Sequence, residues 1–183
     1  FNKEPVSGGN VDEMVALGAA LYSALRSDKK SLNSMQKASL KKIKVIEITN
    51  KCFGTIVASS NEHSQKEEMQ NQIIINKNTK LPVSKTEIFV TLSDGQVVVD
   101  LSVTETITPE TDPRFVKVIW EGEMKLPPNR PKGQELKFTY SFDENQVMHC
   151  EFEDVESGTK EEVKLTPETS ASEDSNIDKF LVD

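Results

Sequence analysis

Cysteine, histidine and aromatic residues are all scarce in this chain of 183 residues. It contains two cysteines, two histidines and one tryptophan, and aromatic residues make up 6% of the total. A metal site is not expected, because zinc and similar ions need a cluster of Cys, His or carboxylate ligands. The lack of aromatic platforms and of a catalytic cluster also argues against a carbohydrate binder or a hydrolase, so no catalytic residue is predicted.

Long apolar runs and phosphate-binding motifs are missing as well. No stretch approaches the roughly 20 apolar residues of a membrane helix, and no basic start followed by an apolar core indicates a signal peptide. Without a Gly-rich phosphate loop, neither nucleotide binding nor any other cofactor is expected within this chain. We expect a cytoplasmic protein in which Cys52 and Cys150 stay reduced. Because the chain begins at Phe1 rather than Met, we also expect it to be a fragment of a longer protein.

The formal net charge of −8 is unevenly distributed along the chain. Residues 26–44 carry seven basic residues against one acid, Asp28, whereas eleven acids and three lysines occur from Glu151 onward. Blocks of like charge are typical of solvated linkers and tails. Nucleic-acid binding is not expected, because the basic block lacks the aromatic side chains on which bases stack and has no recognisable nucleic-acid fold around it.

Residues 10–26 predict the one clear helix. Asn10 is a suitable N-cap, and Leu17, Leu21 and Leu25 recur at helical spacing. The Ser-, Lys- and Asn-rich residues 27–42 bury too little to order themselves, so this segment is interpreted as a linker.

From Ile43 the apolar period changes from about 3.6 residues to about 2, which indicates strands. The predicted strands are Ile43–Thr49, Phe53–Ala58, Gln72–Asn76, Thr86–Leu92, Gln96–Thr104, Phe115–Glu121, Glu135–Phe142, Val147–Asp154 and Glu161–Leu165. Cys150 alternates with Met148 and Phe152, the pattern of a buried hydrophobic residue. Short strands without intervening helices predict a mainly β fold: an antiparallel β-sandwich preceded by one α-helix and a linker.

Residues 77–103 are the most informative segment. Asp94-Gly95 predicts a tight turn that joins two arms into a hairpin, because both positions tolerate positive φ. Apolar residues lie on both faces of these arms: Ile88, Val90 and Leu92 opposite Phe89, and Val97, Val99, Leu101 and Val103 opposite Val98. Only one face of a hairpin packs on an ordinary core, so the apolar residues on the other face must be shielded from water by something else. A bound peptide is one candidate. A sandwich in which both faces are buried is the alternative.

The order of these parts resembles the DnaK-type, seventy-kilodalton heat-shock chaperones. Lys3-Glu4-Pro5 and the helix that begins Val11-Asp12-Glu13-Met14 are similar to the end of that family's actin-like ATPase domain, and Lys77-Asn78-Thr79-Lys80-Leu81-Pro82 is similar to part of its sandwich. The resemblance covers residues 1–26 and 43–165. It implies a terminal ATPase-domain segment (1–26), an interdomain linker (27–46), a peptide-binding sandwich (47–165) and an acidic tail (166–183).

The resemblance also implies a peptide groove, with the peptide lying between the loops after residues 49 and 92. Ala58 and Leu92 fall on the two residues that arch over the peptide, and Phe89, Val99 and Leu101 fall on its central apolar pocket. The implied peptide-binding residues are Thr55, Val57, Ala58, Phe89, Leu92, Val99 and Leu101, and the implied linker residues are Val45, Ile46 and Glu47.

The function implied by this resemblance is capture of extended apolar segments of unfolded proteins, coupled to ATP hydrolysis in the full-length protein. The fragment itself is not expected to be an enzyme, and ATP and Mg are expected in the parent's ATPase domain. The implied partners are unfolded peptides and, for the parent, a J-domain co-chaperone and a nucleotide exchange factor, with no nucleic acid and no membrane. The alternative is a divergent, lidless relative whose sandwich serves as a docking or scaffold domain.

Several residues depart from the family pattern. Lys44 interrupts the aliphatic linker, Asn50 and Lys51 replace Pro and Leu, and Thr55 and Ala58 make the groove less apolar. Residues 166–183 have neither the length nor the periodicity of the family's helical lid, so peptide release is expected to be fast. Their apolar end, Ile177–Val182, resembles a ligand of such a groove, so the chain's own C-terminal tail is a further candidate partner.

Overall fold

A computed structural model describes residues 10–28, 30–41, 43, 45–60 and 67–166. The chain divides into two compact units between Val45 and Ile46, which is within the segment interpreted as a linker. The predicted acidic tail, apart from Thr166, and the Lys3-Glu4-Pro5 motif lie outside the described residues. None of the described helices has the length and apolar character needed to cross a membrane.

The first unit contains two helices, α1 (Val11–Arg26) and α2 (Ser34–Leu40). Helix α1 confirms the helix predicted for residues 10–26. Helix α2 was not predicted, because its polar composition resembles a linker. It begins at a capping box in which the Gln36 amide donates to the Asn33 side chain at 2.8 Å and the Asn33 amide donates to the Gln36 side chain at 2.9 Å. Two otherwise unpaired amides are thereby satisfied, which explains how a helix with no buried residue begins here.

The second unit is a sandwich of two antiparallel four-stranded sheets, which confirms the predicted fold class. Its strands are β1 (Cys52–Ser60), β2 (Glu67–Ile75), β3 (Val83–Val90), β4 (Val98–Thr106), β5 (Lys117–Lys125), β6 (Glu135–Phe142), β7 (Met148–Asp154) and β8 (Lys160–Leu165). Sheet I has the order β2-β1-β4-β5, and sheet II has the order β3-β6-β7-β8. A short 3-10 turn, Pro113–Phe115, precedes β5.

Aromatic side chains from sheet II fill much of the space between the sheets. Phe152 is fully buried and contacts Phe138 and Tyr140 edge-on, with ring centroids 4.8 and 6.0 Å away. From sheet I, Trp120 stacks on Phe152 at 5.6 Å, which ties the two sheets together. Cys150 is buried in the same core and, like Cys52, is a free thiol, as the strand pattern predicted.

The hairpin predicted within residues 77–103 is wrong. Strand β3 belongs to sheet II and β4 to sheet I, so the chain crosses between the sheets at residues 91–97, here called the crossover loop. Gly95 does adopt positive φ (70°), but its amide bonds to the Arg130 carbonyl instead of closing a hairpin. Since Phe89 and Leu101 then face one core from opposite sides, much of the apolar surplus is buried within the sandwich.

The strand predicted at Ile43–Thr49 is also absent from the described residues of that segment. Only an isolated bridge joins Ile48 to Lys80. Thr49 instead anchors a turn, because its amide donates to the Thr79 carbonyl at 2.9 Å and its hydroxyl donates to the Asn76 carbonyl at 2.9 Å. These local side-chain bonds compete with a continuous ladder.

Gly54 fixes the close approach of β1 to β2, and its replacement by alanine is expected to destabilise the sandwich. A Cβ at this position would lie 2.3 Å from the Gln72 carbonyl oxygen, which is backbone and cannot rotate away. We expect Gly54→Ala to lower the free energy of unfolding by about 1–3 kcal/mol, measured by urea denaturation with Trp120 fluorescence. Gly18→Ala in α1, where a Cβ meets nothing within 4 Å, is the control and should leave this transition unchanged. An unaltered midpoint for Gly54→Ala would contradict the assigned packing.

Candidate functional site

The two middle strands of sheet I are joined by an unusually short ladder. Strand β1 pairs with β4 at only three positions, Cys52–Thr106, Phe53–Glu105 and Gly54–Thr104. The outer ladders continue well beyond this point, since β1 pairs with β2 through Ser60 and β4 pairs with β5 from Val98. The sheet therefore opens into a gap between residues 55–59 of β1 and 98–102 of β4, here called the wedge.

Side chains close the narrow end of the wedge. Ser102 Oγ accepts a hydrogen bond from the Ile56 amide at 2.9 Å. In a continuous ladder, a backbone carbonyl of β4 would accept this bond. The Tyr140 hydroxyl reaches across from sheet II and lies 3.2 Å from the Gly54 carbonyl oxygen and 3.0 Å from the Ser102 carbonyl oxygen. Burial raises the pKa of Tyr140 well above its ordinary value, so the hydroxyl keeps its proton and donates. These contacts hold the two strands apart at a defined point.

These bonds show which backbone groups point into the wedge. The Ile56 amide and the Ser102 carbonyl face into the wedge, and the orientation of backbone groups repeats every second residue in a strand. The backbone groups of Ala58 and Asp100 therefore face the wedge too. Two such strand edges can accept an extended segment as an added strand.

One face of the wedge forms an open depression of about 520 Å³ with unlike sides. Ile56 and Met69 make the side on β1 and β2 apolar. Strands β4 and β5 contribute the acidic residues Asp100, Glu121 and Glu123 to the other side. The depression can contact an apolar side chain on one side and a cationic one on the other.

Exposed apolar side chains are concentrated at the wedge end of the sandwich, where β1 and β3 end and β4 begins. Large apolar residues are normally covered, and several exposed together indicate an interaction surface. The exposed apolar residues at this end are Met69, Ile88, Val90, Leu92, Val97, Val98 and Val155.

The residues implied for the groove divide into two groups. Thr55, Val57 and Ala58 lie on β1 along the wedge, with Thr55 buried and its hydroxyl 3.4 Å from Ser102 Oγ. Leu92 is 47% exposed and lies on the crossover loop.

The other three residues lie in the sandwich core or pack against it. Leu101 is 2% exposed, and the Phe89 ring packs on Phe138 with centroids 4.8 Å apart. Val99 is half-buried against the same core. The side chains expected to form an open apolar pocket thus contribute to the packing between the two sheets.

The two loops expected to flank the peptide lie at opposite ends of sheet I. Asn50 and Lys51 precede β1, whereas the crossover loop leads into β4, and these strands are antiparallel. The prediction that a peptide lies between them is therefore wrong. The first loop instead borders a separate cavity of about 180 Å³ at the other end of the sandwich, where Lys51 pairs with Glu105 at 2.7 Å.

The implied linker residues lie where the two units divide. Val45 and Ile46 are about half exposed. Glu47 is held by the sandwich, because its carbonyl accepts the Leu81 amide at 2.9 Å and its carboxylate accepts the Gln146 side chain at 3.4 Å.

Sequence reasoning missed Ser102, Tyr140, Ile56 and Met69. The alternation of β6 predicts that Tyr140 is inward-facing, but nothing in the sequence indicates where its hydroxyl binds. Ser102 alternates with apolar residues of β4, so the sequence predicts that its side chain faces solvent. Nothing in the sequence indicates that its hydroxyl accepts a hydrogen bond from the Ile56 amide.

Comparison with known proteins identifies the family. The model of the family described as "Hsp70 protein" matches residues 1–183. The "Chaperone protein DnaK" of Thermotoga petrophila and that of Thermotoga maritima are each 30% identical over 177 residues, 95% of this chain and 26% of the relative. That of Thermotoga neapolitana is 29% identical over 186 residues, 100% of this chain and 28% of the relative. The chain thus spans about a quarter of the length of these relatives, and with its whole length matched by the family model it belongs to the Hsp70 family.

Proposed function

We propose that the sandwich is the peptide-binding module of an Hsp70-type chaperone and that it captures an extended segment of an unfolded protein in the wedge. The observation that carries this proposal is the three-pair ladder between β1 and β4, which leaves facing strand edges beyond Gly54. A segment bound there would be held chiefly by main-chain hydrogen bonds, which are independent of its sequence. Such binding suits a protein that accepts many clients.

Magnitudes support a main-chain mode of binding. Full burial of one Leu-sized side chain contributes about 1.5–3 kcal/mol, whereas micromolar affinity requires about 8 kcal/mol. With Phe89, Val99 and Leu101 packed into the core, little of this affinity comes from one deep pocket. Backbone pairing and the exposed apolar residues at the wedge end supply the remainder.

The parent protein is proposed to couple this binding to ATP hydrolysis. The similar Thermotoga proteins are chaperones named DnaK, and this chain covers about a quarter of each. ATP and Mg would be bound by the parent's ATPase domain, and a J-domain co-chaperone and a nucleotide exchange factor would act on it. A cytoplasmic location agrees with the two free thiols.

A protein-docking or scaffold domain is the second candidate function. It is favoured by the burial of Leu101 and, along the wedge, by the polar residue Thr55 and the small residue Ala58. In this case the exposed apolar residues at the wedge end would contact one fixed, folded partner instead of many unfolded segments.

Blocking the backbone donors of a ligand separates these two functions. A short fluorescent peptide with a central leucine is expected to bind the wild-type chain, and its affinity is measured by fluorescence anisotropy. Methylating alternate backbone nitrogens on one edge of the peptide should abolish binding, because added strands bind through those groups. Methylating the same number of backbone nitrogens in flanking residues outside the leucine-centred segment is the matched control and should leave the affinity nearly unchanged. Equal affinity of both methylated peptides and the parent peptide would contradict strand addition, and absence of any binding would favour the scaffold function.

Leu92→Asp tests the contribution of the crossover loop. The side chain is 47% exposed, so the substitution should leave folding intact while removing apolar contact with the peptide. We expect a loss of about 1–2 kcal/mol, or about 5- to 30-fold in peptide affinity by anisotropy. Ile107→Asp, an equally drastic change of an exposed residue after the far end of β4, is the control and should bind as the wild type does. Peptide affinity reduced equally in both variants, or in neither, would refute the placement.

A further inference from the structure

The crossover loop is bonded along its length to the loop of residues 126–134, here called the brace loop. Six bonds join them: Thr91 N to Gln134 O at 3.0 Å, Gln134 N to Thr91 Oγ1 at 3.0 Å, Gly133 N to Thr91 O at 2.8 Å, Gly95 N to Arg130 O at 2.7 Å, Lys132 N to Asp94 Oδ1 at 2.9 Å, and Leu126 N to Val97 O at 2.8 Å. The loop that carries Leu92 and leads into the wedge strand β4 therefore moves only if the brace loop moves or these bonds break.

Arg130 fastens the brace loop to sheet II. Both terminal nitrogens of its guanidinium bind the Asp154 carboxylate, with Nη2 2.9 Å from Oδ1. The same guanidinium donates to Gln134 Oε1 at 2.8 Å and lies 3.2 Å from the Glu156 carboxylate. Since the Arg130 side chain is 14% exposed and that of Asp154 is 0% exposed, water and salt screen this pair little.

Asp154 is itself fixed by the turn that joins β7 to β8. Its amide donates to the Thr159 carbonyl at 2.9 Å, its carbonyl accepts the Gly158 amide at 2.8 Å, and its carboxylate accepts the Ser157 hydroxyl. The bond to Arg130 lowers the pKa of Asp154, so the carboxylate stays charged. A rigid, bidentate pair thus links this turn to the brace loop and, through it, to the crossover loop.

Neither Arg130 nor Asp154 belongs to the wedge, since one lies on the brace loop and the other ends β7. A buried ion pair is weak evidence for net stability, because the cost of desolvating both charges offsets their attraction. We propose that Arg130 and Asp154 are positioning residues that hold the crossover loop against β4, and so control how readily a bound peptide leaves the wedge. This inference rests on the proposed function, because it assigns a regulator of release at the same site.

The test compares peptide dissociation and amide exchange in matched variants. Arg130→Gln and Asp154→Asn remove the pair while keeping similar shape. Asp94→Ala removes only the bond from Lys132 at an exposed position, so it remains informative if the buried substitutions prevent folding. Lys160→Gln is the control, because it removes the ion pairs of Lys160 with Glu151 and Glu153 on the neighbouring strand β7 without changing a residue of either loop. Dissociation of a fluorescent leucine-centred peptide is followed after dilution into unlabelled peptide.

The expected result is about two- to thirtyfold faster dissociation in each folded loop variant, with wild-type rates in Lys160→Gln. Hydrogen exchange should accelerate at the amides of Gly95 and Gly133 but not at those of Asn145 and Val147, which are bonded to Asp143 at the other end of sheet II. Such a split would not follow from a general loss of stability.

Three distinct outcomes would count against this inference. If the wild-type chain binds the peptide and all folded loop variants release it at the wild-type rate, the positioning role is overturned. If the wild-type chain binds no peptide, the proposed function fails, and this inference with it. Acceleration in Lys160→Gln equal to that in the loop variants would also overturn the positioning role.

Discussion

The short ladder between β1 and β4 is the constraint on which the rest of the structure depends. A sheet normally gains by pairing its strands along their full length, because buried backbone donors and acceptors need partners. Here Ser102 and the Tyr140 hydroxyl provide those partners at the point of separation. The strands beyond it are left with edges that face each other. This gap is held open by specific side chains and lies at the end of the sandwich that carries most of the exposed apolar residues.

The sequence predicted where strands occur much better than which strands pair. The alternation of Glu135–Phe142 gave β6 with its observed bounds, and it also placed Cys150 in the core. The same alternation in residues 86–104 suggested a hairpin, because Asp94-Gly95 is typical of a tight turn. The two-residue apolar period determines which side chains of a strand share a face, but it does not determine which strand lies beside it. Residues 91–97, between β3 and β4, bond to residues 126–134 instead of closing a turn, and that contact is distant in sequence.

In the candidate site, too, the sequence located some residues correctly but not their tertiary surroundings. The family resemblance brought attention to Ala58 and Leu92, which do lie on β1 at the wedge and on the crossover loop. It could not show that Leu101 is sealed in the core, or that the loop after Thr49 lies at the opposite end. Tyr140 acts through its hydroxyl and Arg130 through its guanidinium, and tertiary packing that no local sequence pattern records sets the position of each group. Helix α2 is the opposite case, since Asn33 and Gln36 form a capping box that could have been recognised from the sequence.

Amide hydrogen exchange at the edges of the wedge tests the central claim most directly. The Ala58 and Asp100 amides face the gap between β1 and β4, and an added strand would bond to them. With saturating leucine-centred peptide, the account predicts slower exchange at these two amides and no change at Asn145, at the far end of sheet II. Unchanged exchange at Ala58 and Asp100 while the peptide is bound would contradict it.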